Sequence, residues 1–251
     1  MRYKLVLEYD GTGFHGWQIQ PAVRTVQGEL EGALAQVGGA PVRCEGAGRT
    51  DAGVHALAQV ASFSLPRAWE PERLVAALNS RLPPDLRALR AGPAPDDFHA
   101  RHSARWKSYV YQIDERPVVS PFWRRYAHNV RWPLDLAEMQ AGAQAFLGVH
   151  DFASFCAGED PAKPTMREVR ALEIARGAEL LRIRILASGF LRSMARRMVG
   201  TLLQVGSGRL EAAAVSAILG ACDRAAAGPT APAKGLFLER VYYSADCMDA
   251  P

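Results

Sequence analysis

Tyr3-Lys4-Leu5-Val6-Leu7-Glu8-Tyr9 alternates like a β-strand, and Thr25-Val26-Gln27-Gly28-Glu29-Leu30 opens a stretch with a different period. Behind Thr25, a residue suited to cap a helix, Val26, Leu30, Leu34 and Val37 fall on one helical face. A strand followed by a helix decides the class of fold. Outward from it lie a short strand near Val42, a Gly-rich loop from Glu45 to Gly53 and a strand from Gln59 to Phe63. Pro71 then opens a helix carrying Leu74, Leu78 and Leu82, and a strand from Leu86 to Arg90 leads to the turn Gly92-Pro93-Ala94-Pro95.

The second half repeats the order. Trp106 to Ile113 reads as a strand, and Asp135-Leu136-Ala137-Glu138 has the form of a capping box at the head of a helix that buries Leu136, Met139, Ala143 and Phe146. Val169 to Ile174 and Leu180 to Leu186 read as strands joined by a tight turn at Gly177. A helix from Phe190 to about Val205, a short helix from Ala212 to Leu219 and a strand from Leu236 to Tyr243 follow. Each half reads as β-α-β-β-α-β, the split βαβ arrangement. The expected fold is therefore α+β. Two similar split-βαβ (ferredoxin- or RRM-like) halves, 1–104 and 105–251, carry antiparallel or mixed sheets that flank a central basic cleft, a natural seat for a large ligand. Element order alone carries this duplication, because the halves share no evident sequence identity.

A chain of 251 residues suits one large domain or two small ones, and 49% hydrophobic with 22% charged residues is the balance of a soluble globular protein. The start, Met1-Arg2-Tyr3-Lys4-Leu5, lacks the apolar stretch of a signal peptide, which predicts a cytoplasmic protein. The most apolar helical stretch, Met194 to Val205, is broken by Arg196, Arg197 and Gln204, so no membrane span is expected. Cys44, Cys156, Cys222 and Cys247 lie too far apart for a zinc or disulfide pattern and read as reduced thiols. Net charge is +4 and the pI about 9.0, consistent with an anionic partner without requiring one.

Gly11-Thr12-Gly13-Phe14-His15-Gly16 matches the dinucleotide fingerprint GxGxxG, but the fingerprint should open a helix, and Trp17 to Pro21 does not. A plain turn explains these glycines without a cofactor. Gly46-Ala47-Gly48-Arg49-Thr50-Asp51-Ala52-Gly53-Val54-His55 sets Arg, Asp and His within seven residues of a Gly-rich connection between strands. Such a loop can bring backbone close to a ligand, or it can be a surface turn whose Asp caps local amides. Phe98-His99-Ala100-Arg101 and Arg105-Trp106-Lys107-Ser108-Tyr109-Val110-Tyr111 concentrate the basic and aromatic groups suited to phosphate contact and base stacking. A solvated strand with half-buried tyrosines fits the second equally. Arg192 and Arg196, four apart in the expected helix, share a face; one could reach a cleft, and an ordinary solvated helix explains the spacing as well.

Eight stretches, in order across nearly the whole chain, resemble the tRNA pseudouridine synthase A family. They are Tyr9-Asp10-Gly11-Thr12 with Phe14 and Gly16-Trp17-Gln18, Thr25-Val26-Gln27, Gly48 to His55, Asp97 to Arg101, Lys107 with Tyr109 and Tyr111, Asp151-Phe152 with Ser154-Phe155, Gly189-Phe190-Leu191-Arg192, and Gly235-Leu236. The resemblance implies an isomerase acting at positions 38, 39 and 40 in the anticodon arm of tRNAs, as a homodimer, with neither metal nor nucleotide cofactor. It implies that Asp51 is the catalytic aspartate, that Tyr109 stacks on the target base, that Arg196 pairs with Asp51, and that Leu236 packs at the same site. Arg49, His55, Phe98, Arg101 and Lys107 join Tyr109 and Leu236 as expected substrate contacts.

The implied chemistry explains these residue types. Converting uridine to its C-glycoside breaks the bond from ribose C1′ to N1, turns the uracil and rejoins it through C5, so no redox step or group donor is needed. A carboxylate, ionised at neutral pH, can act as nucleophile or base beside the ribose, and an arginine keeps it charged and oriented. The uridine must leave its stack at a cost of roughly a few kcal/mol, which an aromatic ring and phosphate contacts can offset. The rival readings are a non-catalytic RNA-binding protein and a NAD-dependent enzyme. Asp51 speaks against the first, because a carboxylate in a basic cleft weakens phosphate binding unless chemistry requires it.

Overall fold

The computed structural model describes residues 1–158 and 164–243; Cys247 lies outside them. Contacts divide the described residues into two compact units, Met1–Arg105 with 237–243, and Trp106–Leu236. Ten strands and five α-helices among the described residues make the fold mixed α+β.

The first unit contains β1 (Arg2–Tyr9), α1 (Val26–Gly38), β2 (Cys44–Gly46), β3 (His55–Ser64), α2 (Pro71–Asn79) and β4 (Leu86–Pro93). β1 lies between β3 and β4, antiparallel to both, and β2 pairs antiparallel with the far end of β3 at Cys44↔Phe63. The alternation in β1 buries Tyr3, Leu5, Leu7 and Tyr9 and leaves Glu8 exposed. Leu30 and Leu34 of α1 and Leu74 and Leu78 of α2 are fully buried, each contributing about 1.5–3 kcal/mol. The Thr25 hydroxyl oxygen accepts from the Gly28 N–H at 3.2 Å and caps α1. β3 starts four residues before the expected Gln59, because burial on both of its faces hides the alternation there.

The second unit contains β5 (Trp106–Asp114), β6 (His128–Asn129), α3 (Leu136–Gln144), β7 (Gly148–Asp151), β8 (Met166–Arg176), β9 (Leu181–Ala187), α4 (Met194–Gly206) and α5 (Ala214–Ala221). β5 pairs antiparallel with β9, β9 with β8 and β8 with β7, while β6 runs parallel to the end of β5. β6 and β7 were not expected; at two and four residues they are too short to show a period. Asp135 caps α3 by accepting from the Glu138 N–H at 3.1 Å. The reciprocal half of the capping box is missing, because the Asp135 N–H donates to the Gly206 carbonyl at 2.8 Å and so ties α3 to the end of α4.

The expected helix from Phe190 is corrected. Ser193, at φ 58°, is left-handed and interrupts a helical path, so α4 begins at Met194. Arg192 therefore precedes the helix, and the shared face with Arg196 does not exist. Met194, Met198 and Leu202 are fully buried, as their spacing predicts. The last strand, β10 (Leu236–Tyr242), pairs in parallel with the start of β3 through Phe237↔His55 and Leu238↔Ala56.

Candidate active site

Asp51 stands half-buried in the loop between β2 and β3, and the loop is fixed on both sides of it. The Thr50 hydroxyl shares a hydrogen bond of 2.9 Å with the Tyr9 hydroxyl, and the Thr50 carbonyl accepts from the Trp17 N–H at 3.1 Å. The Val54 N–H donates to the Asp51 carbonyl at 3.1 Å, and the Gly53 N–H to the Phe14 carbonyl at 3.3 Å. Beneath the loop, Gln59 donates to the Gly48 carbonyl at 2.8 Å and to Tyr9 at 3.4 Å. Burial pushes the Tyr9 hydroxyl up to about 12, so it remains protonated through the neutral range.

The GxGxxG segment finds its purpose in this grip. Gly16 has φ 87°, and a Cβ there would stand 2.5 Å from the Thr50 carbonyl oxygen; a Cβ on Gly11 would collide with the Val54 carbonyl. The glycines let the backbone of residues 11–16 approach the backbone of residues 50–54, so the plain-turn reading holds but understates them.

Arg49 is exposed beside the buried Thr50. His55, an expected substrate contact, is only 1% exposed and stacks on Phe237 with ring centroids 4.6 Å apart. Its Nδ1 lies 3.0 Å from the Gly11 N–H and 3.1 Å from the Asp10 carboxylate. The two contacts demand opposite states of Nδ1, and the backbone N–H cannot lose its proton, so we assign Nδ1 as the acceptor with the ring proton on Nε2. The Asp10 carboxylate takes its donors from Thr12, at 2.9 Å and 2.6 Å. In this structure His55 supports the loop from within. Phe98 is half-buried against Tyr243, at 5.0 Å, and both rings lie near the Lys4 ammonium, 4.3 Å from Tyr243. Arg101 is exposed, and its backbone N–H donates to His99 at 3.1 Å.

The second unit holds the remaining expected residues. Tyr109 on β5 is 6% exposed, with its ring edge-on to Phe190 at 4.7 Å. Lys107, two residues earlier, is half-buried. Arg196, in the first turn of α4, donates from Nε to the Ala231 carbonyl at 2.7 Å, and its own carbonyl accepts from the Ala231 N–H at 3.1 Å. Leu236 is 5% exposed at the head of β10. Sequence reasoning missed Phe190 as the partner of Tyr109 and Tyr9, Thr50 and Gln59 as the support of the Asp51 loop. Tyr9 and Thr50 stand in stretches that resemble the family and Gln59 in none, and only β1 and β3 lying side by side brings the three together.

Among the described residues, no group of three or more His, Cys, Asp or Glu side chains is arranged to hold a metal ion, and no helix is long and apolar enough to cross a membrane. A loop with pinned flanks and a half-buried carboxylate, beside an exposed arginine, suits acid–base or nucleophilic chemistry on an anionic substrate.

The sequence profile described as tRNA pseudouridine synthase matches residues 5–103 and 143–244. The chain is 46% identical over 242 residues to tRNA pseudouridine synthase A of Moorella thermoacetica, covering 96% of this chain and 98% of that protein. It is 46% identical over 254 residues to the protein of that name from Methylobacterium nodulans, covering 100% and 99%, and 42% over 248 residues to that from Geobacillus kaustophilus, covering 98% and 96%. With both units matched and near-complete relatives at this identity, the chain belongs to the tRNA pseudouridine synthase family.

Proposed function

We propose that this member of the family, an isomerase of tRNA uridine, uses Asp51 as its catalytic carboxylate on uridines 38 to 40 of the anticodon arm. The observation that carries the reading is the span of the family match, which includes both the Asp51 loop and the Arg196 helix. In this reading residues 1–104 supply the carboxylate and residues 105–251 supply Arg196, Tyr109 and Leu236. Arg196 pairs with Asp51, Tyr109 stacks on the flipped uracil, and Leu236 packs beside it. Arg49, Phe98, Arg101 and Lys107 contact the RNA, and His55 acts by holding Gly11 against the loop. The split βαβ reading is supported by the antiparallel order β4-β1-β3-β2 in the first unit and β5-β9-β8 in the second.

The isomerisation conserves every atom of the nucleoside except the exchanged proton at C5. Asp51 acts beside the ribose while the C1′–N1 bond breaks. The uracil turns against the Tyr109 ring, C5 bonds to C1′, the C5 proton leaves to a base, and the freed N1 takes up a proton from water. The protein acts in the cytoplasm as a homodimer, and light scattering of the purified protein checks the second point.

The deciding experiment incubates the protein with tRNA tritiated at uridine C5, with no added cofactor. Tritium release into water supports the isomerase; binding without release is the behaviour of an RNA-binding protein that lacks catalysis and contradicts the proposal.

A further inference from the structure

Residues 228–236 run as a strap against α4 and β5 inside the second unit, riveted along their length. The Gly228 N–H donates to the Thr201 hydroxyl at 3.0 Å, and the Pro229 carbonyl lies against Gly200, where no Cβ would fit. Ala231 is clasped by Arg196 in both directions. The Tyr111 hydroxyl donates to the Pro232 carbonyl at 2.8 Å. The same tyrosine's ring lies against Gly235, where a Cβ would stand 2.7 Å from Tyr111 Cζ and 2.9 Å from the Gln112 carbonyl oxygen. Leu236 is the next residue. Pro229 and Pro232 restrict the strap's own backbone, so a few contacts suffice to fix it.

Tyr109 and Tyr111 share a face of β5, and they differ in what they touch. Tyr109 is edge-on to Phe190, whereas Tyr111 is fully buried and spends its hydroxyl on the strap. Burial holds the Tyr111 hydroxyl well above the usual phenol range, so it stays a donor at every working pH. A phenylalanine would fill the same volume against Gly235; only the hydroxyl satisfies the Pro232 carbonyl.

We propose that Tyr111 is a positioning residue for the isomerisation, fixing the 228–236 strap through Pro232 and Gly235 and thereby setting the places of Arg196 and Leu236. The proposal rests on the reading of Arg196 and Leu236 as site residues.

The test compares wild type, Tyr111→Phe, Leu236→Ala and the double variant by tritium release, with kcat and KM for tRNA measured separately. Tyr111→Phe should lower kcat about tenfold, equal to about 1.4 kcal/mol in the barrier, with KM near wild type and a thermal midpoint lowered by roughly a few degrees for the lost hydrogen bond to Pro232. In the Leu236→Ala background the same change should cost less than it does in wild type, because only the placing of Arg196 then remains to be lost. Gly235→Ala, which displaces the strap while leaving the hydroxyl in place, should lower kcat in the same way. Wild-type kcat in either Tyr111→Phe or Gly235→Ala, equal losses in both backgrounds, or a loss confined to KM overturns the proposal. No release from wild type overturns the isomerase reading and this proposal with it, whereas release from wild type with an unchanged Tyr111→Phe overturns the proposal alone.

Discussion

The Asp51 loop in the first unit and the 228–236 strap in the second are both irregular segments held still by their surroundings, and they are held by different balances of the same two means, close backbone approach and side-chain hydrogen bonds. The loop is gripped by close backbone approach, which Gly11 and Gly16 permit by lacking a Cβ. The strap is gripped chiefly by side-chain groups of Arg196, Tyr111 and Thr201 that reach its backbone. The lesson is that an added atom should break either grip, at Gly16 or at Gly235, whereas a removed hydrogen bond should cost the strap more than the loop.

The largest effect is expected where an atom is added to the loop's grip. Gly16→Ala combines a positive φ with a contact to the Thr50 carbonyl, and should cost about 3 kcal/mol in urea unfolding. A stability near wild type would show that the grip yields easily.

Removing an atom from the strap comes next. Thr201 is fully buried, and Thr201→Val leaves the Gly228 N–H without its acceptor, at about 2 kcal/mol by the same measurement. Thr50→Val should cost only about 1 kcal/mol, because Tyr9 keeps Gln59 as a partner. If Thr50→Val proved costlier than Gly16→Ala, the loop would be held by hydrogen bonding like the strap, and the contrast would collapse.

The smallest effect belongs to Arg24, whose guanidinium grips the Asp85 carboxylate with two contacts of 2.7 Å. The Arg24 hydrogen bonds hold the Asp85 carboxyl below its ordinary range. Its contribution is therefore full above the unfolded value near 3.8 and is lost as the pH falls through the lower folded value. Both side chains are about a third exposed, so Asp85→Asn should cost under about 1 kcal/mol at pH 7. Its difference from wild type should shrink between pH 4 and pH 2; a difference that persisted unchanged at low pH would place the contribution elsewhere.

Much of this was legible in sequence because it depends on local chemistry. Thr25, Pro71 and Asp135 mark helix starts by capping or by a fixed φ, and each stands where its helix begins. The start of α4 was not legible, because the left-handed Ser193 is a non-glycine residue in a conformation that composition does not announce. At the site, the Gly48 to His55 loop and its Asp51 stood out by composition. The inward turn of His55 did not, since it depends on Phe237, whose strand pairs with β3 from the other end of the sequence. Tyr111 was visible as part of a motif, but its hydrogen-bond partner lies 121 residues away.

Asp51 is the carboxylate proposed to perform the chemistry. Asp51→Asn keeps the side chain's size, removes its charge and turns one acceptor into a donor, and the contacts at Thr50, Gly53 and Val54, which do not use the Asp51 side chain, have no reason to change. Tritium release from C5-labelled tRNA should fall below detection, while tRNA affinity, measured at one fixed salt concentration, stays within a few-fold of wild type. Turnover by Asp51→Asn at a rate comparable to wild type would contradict the account.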